Sequence, residues 1–207
     1  IAAIGSANEA IQIIEAGQNL FQRIEWLTIP TVAIIHGPCM GGGLELALSC
    51  DYRVARDNSS TKLALPEIKL GLIPGWGGTQ RLPGQVGVQN ALSMILTGKQ
   101  VNATEARRMH LVDAAIAPDS WERDAQTFID NIYQGMAPAA PKHTWKRTLE
   151  DTSIGRRLIL HMAGKSISSK QENYPALGGA LRAIRASFGR GPEGFSIERN
   201  EFVELLG

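Results

Sequence analysis

The placement of the glycines constrains this sequence more than any other feature. Residues 31–36 form a nearly continuous apolar and β-branched run, which is typical of a strand buried on both faces of a sheet. A Gly-Pro pair ends that run, and the glycine run 41–43 then leads into the mostly apolar stretch 44–49, which indicates a short helix. The order strand, triple glycine and helix therefore predicts α/β structure in this part of the chain.

Two interpretations of this junction stay open. Glycine lets backbone amides approach a ligand closely, and a helix that starts there adds the positive end of its dipole, so the junction could form an oxyanion hole or a phosphate cradle. Alternatively, the glycines only permit a tight turn and close packing of helix on strand, which the glycines alone favour. Neither a Walker loop nor the G-x-G-x-x-G pattern is present, which disfavours nucleotide phosphate binding of those two kinds.

Two carboxylates lie beside the glycine-rich segments. Glu45 has apolar neighbours on both sides, which indicates partial burial, and burial would raise its pKa toward values that suit acid–base catalysis. The alternative is that Glu45 points to solvent. Glu67 precedes the glycine-rich loop 71–78 and could contact a ligand that the loop amides bind. Alternatively, it could be a surface carboxylate after a strand. Trp76, within that loop, either lines an apolar pocket or caps the core.

Composition and charge exclude several classes of function. The chain has 207 residues, with 21 Lys and Arg against 20 Asp and Glu, and the formal charge of +1 argues against binding to nucleic acid or an anionic membrane. Its apolar runs fall far short of the ~18 residues that span a bilayer. Its two cysteines cannot form a disulfide framework, which favours a reducing compartment. Its four histidines lack the spacing of metal ligands, so no metal site is predicted.

Hydrophobic periodicity predicts an α/β first part followed by a mostly helical second part. Ser6 is a plausible N-cap of the first helix, with Glu9 completing a capping box. Helices are predicted at 6–26, 44–49, from 79 onward, 91–97, 103–110, 121–133, 142–165, 176–187 and 196–206. Strands are predicted at 31–36, 51–55 and 62–65, and a linker at 190–194.

Two blocks of sequence together resemble the crotonase (enoyl-CoA hydratase/isomerase) superfamily. Residues 35–51 read IHGPCMGGGLELALSCD, and residues 65–82 read LPEIKLGLIPGWGGTQRL, in the order and spacing of that family. The resemblance runs from the first residue to at least residue 118. It implies an α/β fold in which ββα units follow a spiral, with a C-terminal helical region added.

The resemblance also implies roles for particular residues. Glu45 is expected to orient and activate a water molecule, and Glu67 is expected to exchange a proton at C2 of a trans-2-enoyl-CoA. The amide of Gly42 matches one of two oxyanion donors for the thioester oxygen, and the amide of Gly75 matches a donor that helps hold the water. The expected substrate pocket is lined by Leu72, Ile73, Pro74 and Trp76. No cofactor is expected beyond the coenzyme A of the substrate.

The tail resembles multifunctional proteins. Residues 173–176 and 194–206 are similar to the region that joins hydratase and dehydrogenase halves in the α-subunits of fatty-acid-oxidation complexes. We therefore expect a crotonase core at 1–118 that is incomplete at its N-terminus, a helical region at 119–190, and a linker helix at 191–207 leading toward an absent dehydrogenase part that would use NAD. The first oxyanion donor would fall just before Ile1, so little activity is expected from these residues alone.

The leading functional hypothesis is an enoyl-CoA hydratase of fatty acid β-oxidation that makes 3-hydroxyacyl-CoA. The alternatives are a Δ3-Δ2-enoyl-CoA isomerase, in which Glu67 alone moves the proton, and a non-catalytic crotonase-like interaction module, against which the two intact glutamates argue. The expected partners are an acyl-CoA thioester and either further copies of the chain or a thiolase subunit. The expected location is the cytoplasm in a bacterium, or mitochondria or peroxisomes in a eukaryote.

Overall fold

A computed structural model describes residues 6–136, 150, 152–169, 171–189 and 193–206. Three features inferred from the sequence lie wholly or partly outside these ranges. They are the segment that would follow the first oxyanion donor, at 1–4, the first part of the helix expected at 142–165, and residues 190–192 of the expected linker.

The strands of the described residues form two small parallel sheets. The strands are β1 (Val32–Ile35), β2 (Cys39–Met40), β3 (Tyr52–Arg56), β4 (Leu63–Ala64) and β5 (Ala114–Ile116). One sheet has the order β1-β3-β5, with Ile35 opposite Ala55, and the other pairs β2 with β4. Parallel neighbours require crossover connections, and helices provide much of each crossover.

Nine helices surround these sheets in the part of the chain that the structure describes. They are α1 (Ala7–Glu25), α2 (Gly42–Leu48), α3 (Gly78–Val86), α4 (Val88–Thr97), α5 (Ala103–Arg108), α6 (Trp121–Tyr133), α7 (Ser153–Ile167), α8 (Pro175–Ala186) and α9 (Glu193–Glu204). The predicted cap of α1 is confirmed, because the Ser6 hydroxyl oxygen accepts a hydrogen bond from the Glu9 amide at 3.2 Å. The helices predicted at 121–133 and 176–187 are confirmed to within a residue.

The prediction that the run 31–36 is buried on both faces is wrong. Within β1 only Ile35 is buried, and Ile34 is 39% exposed. In the described residues β1 is an edge strand of its sheet, so other elements cover the β-branched run 31–36 only in part. Strand β5 was not predicted, because its two alanines carry no strand signal.

A buried arginine ties α2 to the sheet. The Arg53 side chain, on β3, is almost fully buried and donates to the carbonyl oxygens of Leu111 at 2.9 Å and Cys50 at 2.6 Å. Its backbone amide donates to the carboxylate of Asp113 at 2.8 Å. The end of α2, strand β3 and the approach to β5 are therefore held at one point.

The main hydrophobic core lies between α2, α3, α4, α8 and the loop after β4. Leu44, Leu65, Ile73 and Leu82 are fully buried in it. Helix α9 packs against α8, α1 and α3 and contributes Phe202 to the same core. The C-terminal helix is thus part of the structure that surrounds α2.

Candidate functional site

Glu45 lies buried on α2, the short helix that follows the glycine run. The helix starts at Gly42 after Gly41, whose φ of 57° is in the left-handed region, so the chain turns sharply from β2 into α2. Glu45 is only 2% exposed, and its Oε1 accepts hydrogen bonds from the amides of Trp76 at 2.8 Å and Gly78 at 2.9 Å. The solvent-pointing alternative for Glu45 is therefore wrong.

Glu67 begins a short 3-10 helix (Glu67–Leu70) that ends at Gly71, where φ is 74°. Its side chain is partly buried, and within the described residues its Oε2 is buried with no hydrogen-bond partner. Its Oε1 would lie 3.0 Å from a Cβ added at Gly41, so this glycine also makes room for the carboxylate. The triple glycine and Glu67 thus meet at one place.

The environment raises the pKa of both carboxyl groups. Burial raises the pKa of Glu45 to about 8, with the negative charges of Glu198 and Glu67 adding to the effect and the amides of Gly78 and Trp76 opposing it. Burial raises the pKa of Glu67 to about 7, opposed by its own backbone amide and supported by the charge of Glu198. Both pKa values therefore lie near neutral pH, and the charge of Glu67 contributes to the raised pKa of Glu45.

Within the described residues, two amides of the glycine-rich segments have no hydrogen-bond partner. Within the described residues, neither the Gly42 amide nor the Gly75 amide donates a hydrogen bond to a protein acceptor. Gly42 is the first residue of α2, so the helix offers its amide no carbonyl partner. Such amides can donate hydrogen bonds to an oxyanion or to a water molecule.

Acid–base groups with raised pKa values beside free amides suit proton transfer next to a carbonyl group. The family model for enoyl-CoA hydratase/isomerase matches residues 3–172. The chain belongs to the enoyl-CoA hydratase/isomerase family.

Named relatives of this chain are longer proteins that are named as subunits of a complex. The fatty acid oxidation complex subunit alpha of Vibrio parahaemolyticus is 45% identical over 99% of the chain. The protein of the same name from Shewanella loihica is 43% identical over 99% of the chain. The chain spans 29% of the length of each of these curated relatives.

Solved structures confirm the predicted fold class. An enoyl-CoA hydratase from Thermoplasma volcanium is 27% identical, with a TM-score of 0.59, and the match covers 99% of this chain and 66% of that chain. DspI from Pseudomonas aeruginosa is 28% identical, with a TM-score of 0.59, and the match covers 90% of this chain and 66% of that chain. The α/β crotonase fold inferred from the two sequence blocks is therefore confirmed.

The residues expected to line the substrate pocket differ in exposure. Leu72, Ile73 and Pro74 are buried, and Ile73 is completely so, which places it in the core. Trp76 is partly buried, and its ring would lie 2.7 Å from a Cβ added at Gly42. Trp76 also meets Phe21 edge to face, with ring centroids 5.7 Å apart. A role of these four residues in substrate binding stays a prediction.

Glu198 is a third buried carboxylate near the site and was not predicted from the sequence. It lies on α9 and is completely buried. A signal was available, because Phe195, Glu198 and Phe202 follow one another at helical spacing, which places the charge on the same face as two aromatic residues. The missed clue is therefore a carboxylate at an apolar position of an amphipathic helix.

The residues that the structure describes contain neither a metal-ligand cluster nor a membrane-spanning helix. No group of three or more His, Cys, Asp or Glu side chains there could hold a metal ion. No helix in the same part of the chain is both long and apolar enough to cross a bilayer.

Proposed function

We propose that this chain carries the enoyl-CoA hydratase site of a fatty-acid-oxidation protein, which adds water across trans-2-enoyl-CoA to give 3-hydroxyacyl-CoA. The observation that carries the proposal is the pairing of two carboxyl groups, Glu45 and Glu67, whose pKa values burial raises to about 8 and about 7. A carboxyl group whose pKa lies near neutral pH can both accept and donate a proton, as addition of water requires.

In the proposed reaction Glu45 accepts a proton from water as the water oxygen bonds to C3. The two amides that donate to Glu45 Oε1 fix the orientation of its carboxylate. In this proposal the Gly75 amide donates a hydrogen bond to the water. Electrons of the double bond move toward the thioester oxygen, where the Gly42 amide stabilises the negative charge. Glu67 then delivers a proton to C2, and before the next turnover Glu45 releases its proton to solvent while Glu67 takes one up. The overall reaction therefore adds one water molecule and is redox-neutral.

The expected needs of this chemistry are modest. Proton transfer and an amide oxyanion donor require no metal or redox group, so the proposed site uses only the coenzyme A that is part of its substrate. The names of the relatives support a place in fatty acid oxidation. Association with a thiolase subunit or with further copies of the chain, and use of NAD by a dehydrogenase part, remain predictions.

The test is hydration of crotonyl-CoA by the full-length protein and its Glu45→Gln and Glu67→Gln variants. Each substitution removes one proton-transfer group while keeping the side-chain shape, so each should lower kcat by at least about 100-fold. Glu122→Gln, an exposed glutamate on α6, is the matched control and should retain wild-type activity. Normal activity in either buried-site variant would refute the two-carboxylate assignment.

One observation favours Δ3-Δ2 isomerisation as a second activity. Within the described residues, Glu67 Oε2 is buried and unpartnered, so this oxygen is available to move a proton between two carbon atoms. If the site isomerises as well, the Glu45→Gln variant should lose hydration of crotonyl-CoA but keep conversion of a 3-enoyl-CoA. Loss of both reactions in that variant would show that Glu67 cannot act alone.

A further inference from the structure

The buried carboxylate of Glu198 is held by a complete set of donors that the two-carboxylate reaction does not explain. Its Oε1 accepts from the Gly77 amide at 2.6 Å and from the Gln18 side-chain amide at 3.2 Å. Its Oε2 accepts from the Thr79 amide at 2.9 Å and from the Thr79 hydroxyl at 2.6 Å. Burying a carboxylate is costly, and four donated hydrogen bonds are the compensation that an ionised group requires.

The loop between the 3-10 helix and α3 is shared between two carboxylates. The amides of Trp76 and Gly78 donate to Glu45, whereas the amides of Gly77 and Thr79 donate to Glu198. Successive amides of the segment 76–79 thus point alternately to α2 and to α9. Movement of Glu198 would move the very amides that orient Glu45.

A glutamine extends this network to the expected water site. The Gln18 side-chain amide, on α1, donates to the Gly75 carbonyl oxygen at 3.0 Å and to the Phe195 carbonyl oxygen at 3.0 Å, besides Glu198. Gln18 is 4% exposed, so these bonds form away from solvent. The residue expected to hold the water is therefore bound to the same cluster as Glu198.

The charge of Glu198 reaches the candidate acid–base pair. It raises the pKa of Glu45 and, more weakly than burial does, that of Glu67. Burial raises the pKa of Glu198 itself, and its four donors oppose that rise. The nearby arginines on α3, α8 and α9 are engaged with other carboxylates: Arg81 with Glu25, Arg182 with Glu201 and Arg199 with Glu15.

Resting on the proposed hydratase function, we infer that Glu198 is a positioning residue, which holds segment 75–79 so that the amides of Trp76 and Gly78 orient Glu45 for attack by water. Helix α9 then belongs to the site, because it provides the carboxylate of Glu198 on the side of the loop opposite to Glu45. The negative charge of Glu198 has a second effect, because it favours the protonated form of the Glu45–Glu67 pair.

The test measures kcat for crotonyl-CoA hydration against pH in the full-length protein and in its Glu198→Gln and Glu198→Asp variants. Glutamine removes the charge and one acceptor, so kcat should fall up to about 100-fold because the loop amides shift. The acidic limb of the profile should move to lower pH by about one unit, because loss of a neighbouring negative charge lowers the pKa of Glu45. Aspartate keeps the negative charge on a shorter side chain, so Glu198→Asp should lower kcat without moving the acidic limb of the pH profile.

Glu204→Gln, an exposed glutamate on the same helix, is the matched control and should match the wild type in both kcat and pH profile. A Glu198→Gln variant with an unmoved acidic limb overturns the inference, because a purely structural role predicts lower kcat alone. If that variant does not fold, a Glu198→Asp variant with unchanged kcat overturns it instead.

Failure of the proposed function gives a different result, since the wild type itself would then not hydrate crotonyl-CoA. In that case amide hydrogen exchange tests the positioning role of Glu198, because the measurement does not require an active enzyme. In Glu198→Asp the amides of segment 76–79 should exchange faster than in the wild type and in Glu204→Gln. Equal exchange in all three proteins would refute the positioning role.

Discussion

Glu45 and Glu67 are held in different ways, and the difference fits their proposed roles. Glu45 is fixed through one oxygen by two backbone amides. Glu67 keeps a buried oxygen, Oε2, that has no partner within the described residues. A group that orients water benefits from a fixed carboxylate, whereas a group that delivers a proton to carbon needs an oxygen free to meet the substrate.

Substitution by alanine should change the free energy of unfolding differently at the two glycines that begin α2. A Cβ on Gly42 would lie 2.7 Å from the Trp76 ring, whereas a Cβ on Gly43 meets nothing within 4 Å. Gly42→Ala should therefore lower the free energy of unfolding by about 1–3 kcal/mol through overpacking. Gly43→Ala should leave it unchanged or raise it by up to about 1 kcal/mol, because alanine favours a helix.

Thermal unfolding of the two variants side by side checks this expectation. The crystal structure of Gly42→Ala should also show the Trp76 ring displaced from α2. Equal stability of the two alanine variants would mean that Trp76 does not pack on Gly42.

At the scale of elements, local signals were sufficient for most helices. The cap of α1 and that of α5, where the Asn102 side chain accepts from the Glu105 amide at 2.8 Å, join residues only three apart. Strands were harder to predict, since burial of β1 depends on which neighbours cover it. The boundaries expected at residues 118 and 190 stay predictions.

The hydrogen bonds of Arg53 should contribute strongly to the stability with which α2 is held against the sheet. Arg53→Met should lower the free energy of unfolding by about 3 kcal/mol, because the carbonyl oxygens of Leu111 and Cys50 lose charged donors in a buried place. Chemical denaturation measures the change. Arg123→Met is the control, because Arg123 is exposed on α6, and its stability should equal that of the wild type within error. A fully stable Arg53→Met protein would contradict the expectation.

At the scale of the whole molecule, the site lowers the stability of the fold at higher pH. The native chain holds protons on Glu45 and Glu67 that the unfolded chain, with ordinary carboxyl pKa values of 4.5, has already released. A native state that binds more protons than the unfolded state loses stability as pH rises. The loss runs from about pH 4.5 to about pH 8, between the unfolded and folded pKa values.

The double variant Glu45→Gln/Glu67→Gln should lack this loss. Between about pH 5 and about pH 8 the free energy of unfolding of the wild type should fall by on the order of a few kcal/mol more than that of the variant. Denaturation curves at a series of pH values measure the difference. Parallel pH dependence in the two proteins would show that these carboxyl groups do not have raised pKa values in the folded state.

The sequence alone determined the α/β class, most helices and the family resemblance, and it singled out Glu45 and Glu67 as candidates. These depend on neighbouring residues: the order of glycines, the apolar period and caps that act within one helical turn. The exposure of Ile34, the contact of Trp76 with Gly42 and the carboxylate of Glu198 were decided only by the tertiary structure. Each depends on burial or charge from elements far apart in the chain, as when α9 brings Glu198 to amides 119 and 121 residues before it.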